Sequence, residues 1–589
     1  MQNREIADIL EEMAILLEIL GENPFKCRAF HNASRLISSS TEEMKTRAAG
    51  GTLTGLKGIG KGLAPVISDL ALKGKSDEVD RLRASVPAGL LDMMKVQGLG
   101  PKRVRLLYEK LGINSLDKLR KAASGDLLDR VGGFGAKSRA NILKNLDLLK
   151  LYQGKSLIRE AEATAESLLG IVAALPGVAE CGVAGSLRRR MPVIGDIDLL
   201  AGAPARFHRG IISGFTAIPD AGRVLSSGST RCSVVLGSGM QCDLRVVTVA
   251  EYPFALQYFT GSREHNVKLR ARATDFGWSL NEYGFTAVRG KSRAKPRVVR
   301  GRKSSPVKPP QCLSESDVYN ALGLGYIPPE LREDTGEIAA ATGQQLPRLV
   351  ETTDLRGTFH CHTTYSDGRN TLGGMARAAK ELGWEYLGIA DHSRAAAYAG
   401  GLSGKDVARQ IGEIHRLNGD QEGFRIFSGT EVDILSDGTL DWNDRTLALF
   451  DYVVASVHSW FNMTDAEATK RIIGALKNKH VTMLGHPTGR LLLERDGYPL
   501  KMKEVIEAAA DYGKMIEINA NPRRMDLDWS HCRYARDRGV LIAINPDAHS
   551  VAGLGDVRFG IDVARKGWLG PRDVFNTKTL AGVARILAR

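Results

Sequence analysis

Asp196 and Asp198 stand one residue apart in GSLRRRMPVIGDIDLL, residues 185–200. The apolar neighbours Val193, Ile194, Ile197, Leu199 and Leu200 make this a strand. Strand side chains repeat every two residues, so both carboxylates leave on one face. Two anions held that close are costly without a divalent cation between them. Hard oxygen ligands at this density suit magnesium, which completes its shell with substrate phosphates. Upstream, the Gly185-Ser186 turn offers backbone N–H groups and a hydroxyl to a triphosphate, with Arg189 as counter-charge. A solvated turn with surface carboxylates is the plainer alternative.

The string resembles the nucleotidyltransferase palm of the family X DNA polymerases, whose pattern is GS-x-RR followed by GD-x-D, with Ser186 ten residues before Asp196. The resemblance implies magnesium or manganese at Asp196 and Asp198, and a nucleotide held by Gly185, Ser186, Arg189 and Gly195. Arg190 stands where many members have glycine, with Pro192 just after; a stiffer loop with unchanged chemistry is expected.

The chain has 589 residues, 43% of them apolar, which suggests about four compact units. No run of eighteen apolar residues occurs and the start MQNREIADILEE is charged, so neither a membrane span nor a secretory signal is expected. Seven singly scattered cysteines point to a reducing cytoplasm. A net charge of +14 favours a polyanionic partner. From Arg289 to Lys308 there are nine Lys or Arg and no Asp or Glu. This composition cannot bury a core; it reads as a basic loop, either a solvated linker or a further phosphate contact.

Ile6, Ile9, Leu10, Met13, Leu16, Leu17 and Leu20 follow the helical period, so an amphipathic helix opens the chain. A G-h-G pattern then recurs three times, at Gly58 and Gly60, Gly98 and Gly100, and Gly133 and Gly135, with Lys61, Lys102 and Lys137 close by. Each copy lies between apolar-periodic segments, as a helix-hairpin-helix turn requires. The glycines permit the turn and bring N–H groups at a helix N-terminus up to a phosphate. Three copies point to sequence-independent binding of a DNA backbone, although a structural hairpin is the alternative and the third copy could serve packing alone. The region resembles the eight-kilodalton and fingers domains of the same family. Where some relatives carry a Schiff-base lysine for 5′-deoxyribose phosphate removal, this chain has Val66, which cannot form an imine.

Asp243, in the apolar string MQCDLRVVTV, offers a third carboxylate and with it a two-metal arrangement. VLSSGSTRCSVVLG reads as strands with a turn, and its Arg231 is a phosphate candidate. YFTGSREHNVKLR, residues 258–270, is similar to the family's YFTGS motif. That resemblance puts Tyr258 and Phe259 against the sugar of the incoming nucleotide, Gly261 beside them, and Asn266 and Arg270 at the nascent base pair and template-side minor groove. The basic run is expected inside a thumb hairpin, and 336–353, polar and proline-poor, as a linker.

Nine of the twelve histidines lie after residue 350, most of them at the ends of short apolar strands. Repeated strand, ligand, helix order is the pattern of a parallel barrel with its chemistry at the C-terminal strand ends. The order H-x-H, DH, E, H, GHP, D-x-H resembles the polymerase and histidinol phosphatase (PHP) domain. Its nine ligand positions fall on His360, His362, Asp367, His392, Glu431, His458, His486, Asp547 and His549. By that resemblance Glu431 bridges two ions, while Asp367, His392 and His549 hold a third, with manganese or zinc expected in up to three sites.

The expected fold is multidomain α+β and α/β. Helical helix-hairpin-helix domains at 1–85 and 86–153 precede a nucleotidyltransferase palm with mixed sheet, and its thumb, at 154–335. A distorted (β/α)7 PHP barrel follows at 354–589. The expected function is a bacterial family X polymerase that fills short gaps in repair, using gapped or primed DNA and dNTPs. The PHP half is a 3′-to-5′ exonuclease or 3′-end cleaner, with cutting at abasic sites a further possibility. A cytoplasmic monomer at the nucleoid is expected. The alternatives are a small-molecule phosphatase in the PHP half, or a DNA-end scaffold with a silent palm.

Overall fold

The computed structural model describes residues 1–40, 42–96, 98–288, 308–419 and 422–588. It forms two compact units, Met1–Gln153 and Gly154–Arg589. No described helix is long and apolar enough to cross a membrane.

The first unit is helical around two cores. The opening helix Asn3–Leu20 serves both: Ile6, Leu10, Met13 and Leu17 face the first, and Leu16 and Ile19 the second. Three turns repeat one geometry. Gly58, Gly98 and Gly133 adopt φ of 107°, 86° and 90°, a region that only glycine enters at little cost. The apolar residue between each glycine pair, Ile59, Leu99 or Phe134, is buried, and its N–H donates to the carbonyl of Leu56, Val96 or Val131 at 3.0, 3.0 and 3.3 Å. Gly100 and Gly135 cap the helices Pro101–Leu111 and Ala136–Tyr152. The second and third turns are bolted together by Arg103, which donates to the carbonyls of Gly98 and Gly133, each at 2.7 Å.

The second unit begins with a five-stranded mixed sheet, in the order Glu180–Val183, Asp196–Gly202, Gln241–Val247, Arg231–Leu236, Ala221–Ser227. Only the pair Asp196–Gly202 and Gln241–Val247 is parallel. The helices Ile158–Ala173 and His208–Thr216 bury its apolar residues. Helices Tyr252–Thr260 and Arg263–Asp275 follow, then the hairpin Trp278–Asn281 and Gly284–Ala287.

Two expectations change here. The hairpin closes before Arg289, so the basic run follows it rather than splitting it; 289–307 lie outside the described residues. Residues 336–353 are folded in rather than left as a free link. They contain the helix Glu337–Thr342, Glu337 pairs with His265 at 2.7 Å in the interior, and Leu349 and Val350 are buried. Their polar composition misleads because the acid it counts is an interior hydrogen-bond partner of His265.

Seven parallel strands then form a nearly closed barrel in sequence order: Gly357–Cys361, Tyr386–His392, Arg425–Asp433, Tyr452–Ser456, Met483–Leu484, Met515–Asn519 and Ile542–Asn545. A bridge from Cys361 to Ala548 brings the last strand back to the first. Phe359, Phe427, Tyr452 and Phe575 pack in one aromatic cluster below the ligand-bearing ends.

Candidate metal centres

In the first centre, alternation along one strand sets Asp196 and Asp198 on the same face. Parallel register then places Asp243 opposite Asp198. The three carboxylates converge, with ligand oxygens all within 4.8 Å of one another. Burial, then the Asp196 and Asp243 charges, push Asp198 up to about 7. Burial and Asp243 also raise Asp196. Three anions so placed cannot all ionise comfortably without a cation, so the donor set fits divalent metal.

The turn above them is shaped for this neighbour. Gly185 has φ 61°, and a Cβ there would lie 2.1 Å from the Asp198 carboxylate; only glycine lets turn and acid meet. The Ala184 N–H donates to the Asp198 carbonyl at 2.8 Å. A cleft of about 340 Å³ opens here, lined by Gly185, Ser186, Arg189, Asp196, Asp198, Tyr258, Phe259, Gly261, Asn266 and Arg270. Gly195 and Asp243 lie outside its lining. Tyr258 and Phe259 end a helix and pack edge to face at 5.2 Å. Asn266 is anchored, donating to the Tyr258 carbonyl at 2.7 Å and accepting from Gln257 at 2.8 Å. Arg231 approaches Asp243 at 3.7 Å.

Sequence reading missed Arg245 and Arg263, which also line the cleft; Arg245 lies over the Phe259 ring at 4.3 Å. Both lie within strings already singled out, Arg263 directly after YFTGS and Arg245 two residues after Asp243 on the same strand. It missed too the interior ion cluster beside the turn. Arg188 donates twice to Glu315 at 2.8 Å, and fully buried Arg332 donates to the same carboxylate at 2.5 Å. Burial alone would raise the Glu315 pKa; Arg332 and Arg188 outweigh it and hold the group down to about 2.

The second centre gathers all nine predicted ligands at the C-terminal ends of the barrel strands. They form four overlapping groups whose ligand atoms approach within 4.8 Å: His362, Asp367, His392 and His549; His360, Glu431 and His486; His360, His362 and Asp547; His392, Glu431 and His458. Glu431 belongs to two of them. Register shifts between Thr358 and Cys361, and His360 takes φ 55°. His486 and Asp547 also lie at positive φ, so backbone strain collects on three ligands.

Buried ring nitrogens of His360, His362, His392 and His486 make no hydrogen bond. Those of His360, His362 and His392 face carboxylate oxygens instead, His360 facing Glu431 at 3.2 Å, His362 facing Asp547 at 3.2 Å and His392 facing Glu431 at 2.9 Å. Lone pairs aimed at shared points beside acids are what a metal cluster needs. Burial, with His549 and His392, pushes His362 down to about 3, leaving it neutral and able to ligate. Behind the ligands stand acids that sequence reading did not select. Glu517 accepts from His360 Nδ1 at 2.6 Å and from the His486 N–H at 2.7 Å, and Asp433 accepts from His458 Nδ1. Such partners fix ring orientation and tautomer. Their one legible signal is an acid inside an apolar strand, MIEIN for Glu517.

In the helical unit, Lys61, Lys102 and Lys137 are exposed and form no ion pair among the described residues. A Cβ at Gly60, Gly100 or Gly135 would meet nothing within 4 Å. The turn surface at these three glycines is open. Val66 is buried in the helix Ala64–Lys73, with no amine at the lyase position.

The profile of a helix-hairpin-helix domain matches residues 1–76 and that of a SAM-like helix-hairpin-helix tandem matches 90–147. The DNA polymerase beta thumb matches 255–333 and the PHP domain 358–521. A DNA polymerase/3′-5′ exonuclease PolX of Bacillus subtilis (strain 168) is 35% identical over 594 residues, covering all of both chains. A probable phosphatase of Thermoanaerobacter sp. (strain X514) is 31% identical over 229 residues, 37% of this chain and 89% of its own. DNA polymerase lambda of Rattus norvegicus is 28% identical over 353 residues, 56% of each chain.

Proposed function

The chain belongs to the family X DNA polymerases that carry a C-terminal PHP domain, and from that premise we propose that it fills short gaps in DNA during repair and trims 3′ ends with its PHP centre. The observation that carries this reading is the presence in one chain of an acidic triad beside a Gly-Ser turn and of a nine-ligand imidazole-rich ring.

Asp196, Asp198 and Asp243 hold magnesium or manganese. Divalent ions held there would supply the charge that lowers the pKa of the primer 3′-hydroxyl and offsets that of the leaving pyrophosphate. The Gly185-Ser186 turn and Arg189 bind the triphosphate. Tyr258 and Phe259 pack on the sugar and crowd a ribose 2′-hydroxyl, while Asn266 and Arg270 read the shape of the minor groove. The three glycine turns and their lysines grip the DNA backbone without regard to sequence. In the PHP centre the nine ligands would hold manganese or zinc, which would supply activation of water and a clamp for the phosphate. Glu517 and Asp433 orient His360 and His458.

The test is a gapped duplex with and without dNTPs, comparing wild type with Asp196→Ala and His360→Ala. Extension lost only in the first and 3′ shortening lost only in the second support the reading; a wild type that does neither with manganese or magnesium refutes it. The similarity to a probable phosphatase favours a second reading, in which the PHP half takes a small phosphomonoester. A 3′-labelled oligonucleotide left intact while histidinol phosphate is hydrolysed would select it.

A further inference from the structure

Lys566 ends the helix Val557–Lys566 of the PHP half and is buried. Its ammonium leaves its own domain: it donates to the carbonyl of Arg189 at 3.1 Å and to the Glu333 carboxylate at 2.5 Å. The same Glu333 oxygen accepts from Arg189 Nε at 2.9 Å, and Arg189 Nη1 donates to the Thr260 carbonyl at 2.6 Å. Gly261 leaves room for this guanidinium, since a Cβ there would lie 3.2 Å from Nη1. One turn earlier on the PHP helix, Asp562 lies 3.6 Å from Arg190, whose guanidinium also donates to Glu162 at 2.5 Å. Arg190 has φ 57°. At the position where glycine would adopt this backbone freely, the chain carries a side chain that ties the turn to the PHP helix.

Arg189 faces the nucleotide cleft, and a carboxylate on its Nε draws its charge away from a triphosphate. A buried cation on that carboxylate cancels the competition. Resting on the polymerase reading above, we propose that Lys566 is a positioning residue of the polymerase site: it neutralises Glu333 and holds the Arg189 backbone, keeping the Arg189 guanidinium available to the incoming triphosphate. The PHP half is thus part of the machinery that binds the nucleotide, not merely a tethered hydrolase.

The test is steady-state primer extension by the full chain, with hydrolysis of a 3′-labelled oligonucleotide as the control for an intact PHP half. Lys566→Gln keeps a donor for the Arg189 carbonyl but loses the charge, and its KM for dNTP is expected to rise about ten-fold with kcat within about two-fold of wild type. Lys566→Arg keeps KM near wild type. Adding Glu333→Gln to Lys566→Gln removes the uncompensated carboxylate and brings KM back to within about two-fold of wild type. A KM that stays at the wild-type value in Lys566→Gln, or stays high in the double variant, overturns the assignment. So does oligonucleotide hydrolysis that falls in parallel with extension in both Lys566→Gln and Lys566→Arg, which leaves Lys566 a structural role alone. If the wild type extends and these values do not move, only Lys566 loses its role; a wild type that does not extend removes the polymerase reading and this one with it.

Discussion

Asp198 and Asp243 are register partners on the two parallel strands of the palm sheet, and their mutual repulsion is part of why the Asp198 carboxyl sits at about 7. A carboxyl whose folded pKa lies above its unfolded value costs nothing below about pH 4 and its full penalty above about pH 7. Metal-free protein therefore loses stability through this group as pH rises across that window. In EDTA, Asp198→Asn is expected to be more stable than wild type at pH 8 by on the order of 3 kcal/mol, with the difference vanishing at pH 4. Denaturant melts at the two pH values check this. The same variant loses primer extension by on the order of a thousand-fold or more.

The two centres share no ligand, so their losses should separate. Glu431→Gln removes the carboxylate common to two ligand groups and should abolish 3′ shortening of a labelled oligonucleotide while extension by the same preparation stays within about two-fold. Metal content by mass spectrometry should fall in step with the nuclease.

Glu315 lies between Arg188 and fully buried Arg332. Glu315→Gln strands a buried guanidinium and should cost about 3 to 5 kcal/mol in denaturant unfolding. The folded pKa, about 2, lies below the unfolded one, so this stabilisation is complete above about pH 4.5 and is lost as pH falls toward 2. Acid titration of the wild type should show that loss, and the Gln variant should not.

Lys61, Lys102 and Lys137 stand beside open glycine turns. Replacing all three with alanine should weaken binding to any duplex sequence equally and reduce the slope of log affinity against log salt by about 2 to 3. A fluorescence anisotropy series from low to moderate salt measures it. An unchanged slope would mean that the turns serve packing only.

Much of the site is legible from local pattern. Asp196 and Asp198 share a face because strand alternation is a two-residue property, and the three G-h-G turns announce themselves because φ near +90° selects glycine within a few residues. The ligands from His360 to His549 follow short apolar strands in a fixed order that needs no contact map. The expectation of a linker at 336–353 failed because composition cannot tell a solvated acid from Glu337 buried against His265. The hairpin before Arg289 was likewise a matter of which strands pair.

What the amino-acid order determined on its own is the set of chemical groups, the shared face of Asp196 and Asp198 and the three glycine turns, which rest on interactions a few residues long, together with the order in which the imidazole-bearing strand ends follow one another. What only the tertiary structure decided is the support: Glu517 behind His360, Arg332 behind Glu315, and Lys566 reaching from one domain to the arginine of another. These partners lie far apart along the chain, and an acid or a lysine acquires such a role only when folding removes water from around it and leaves a single partner in reach.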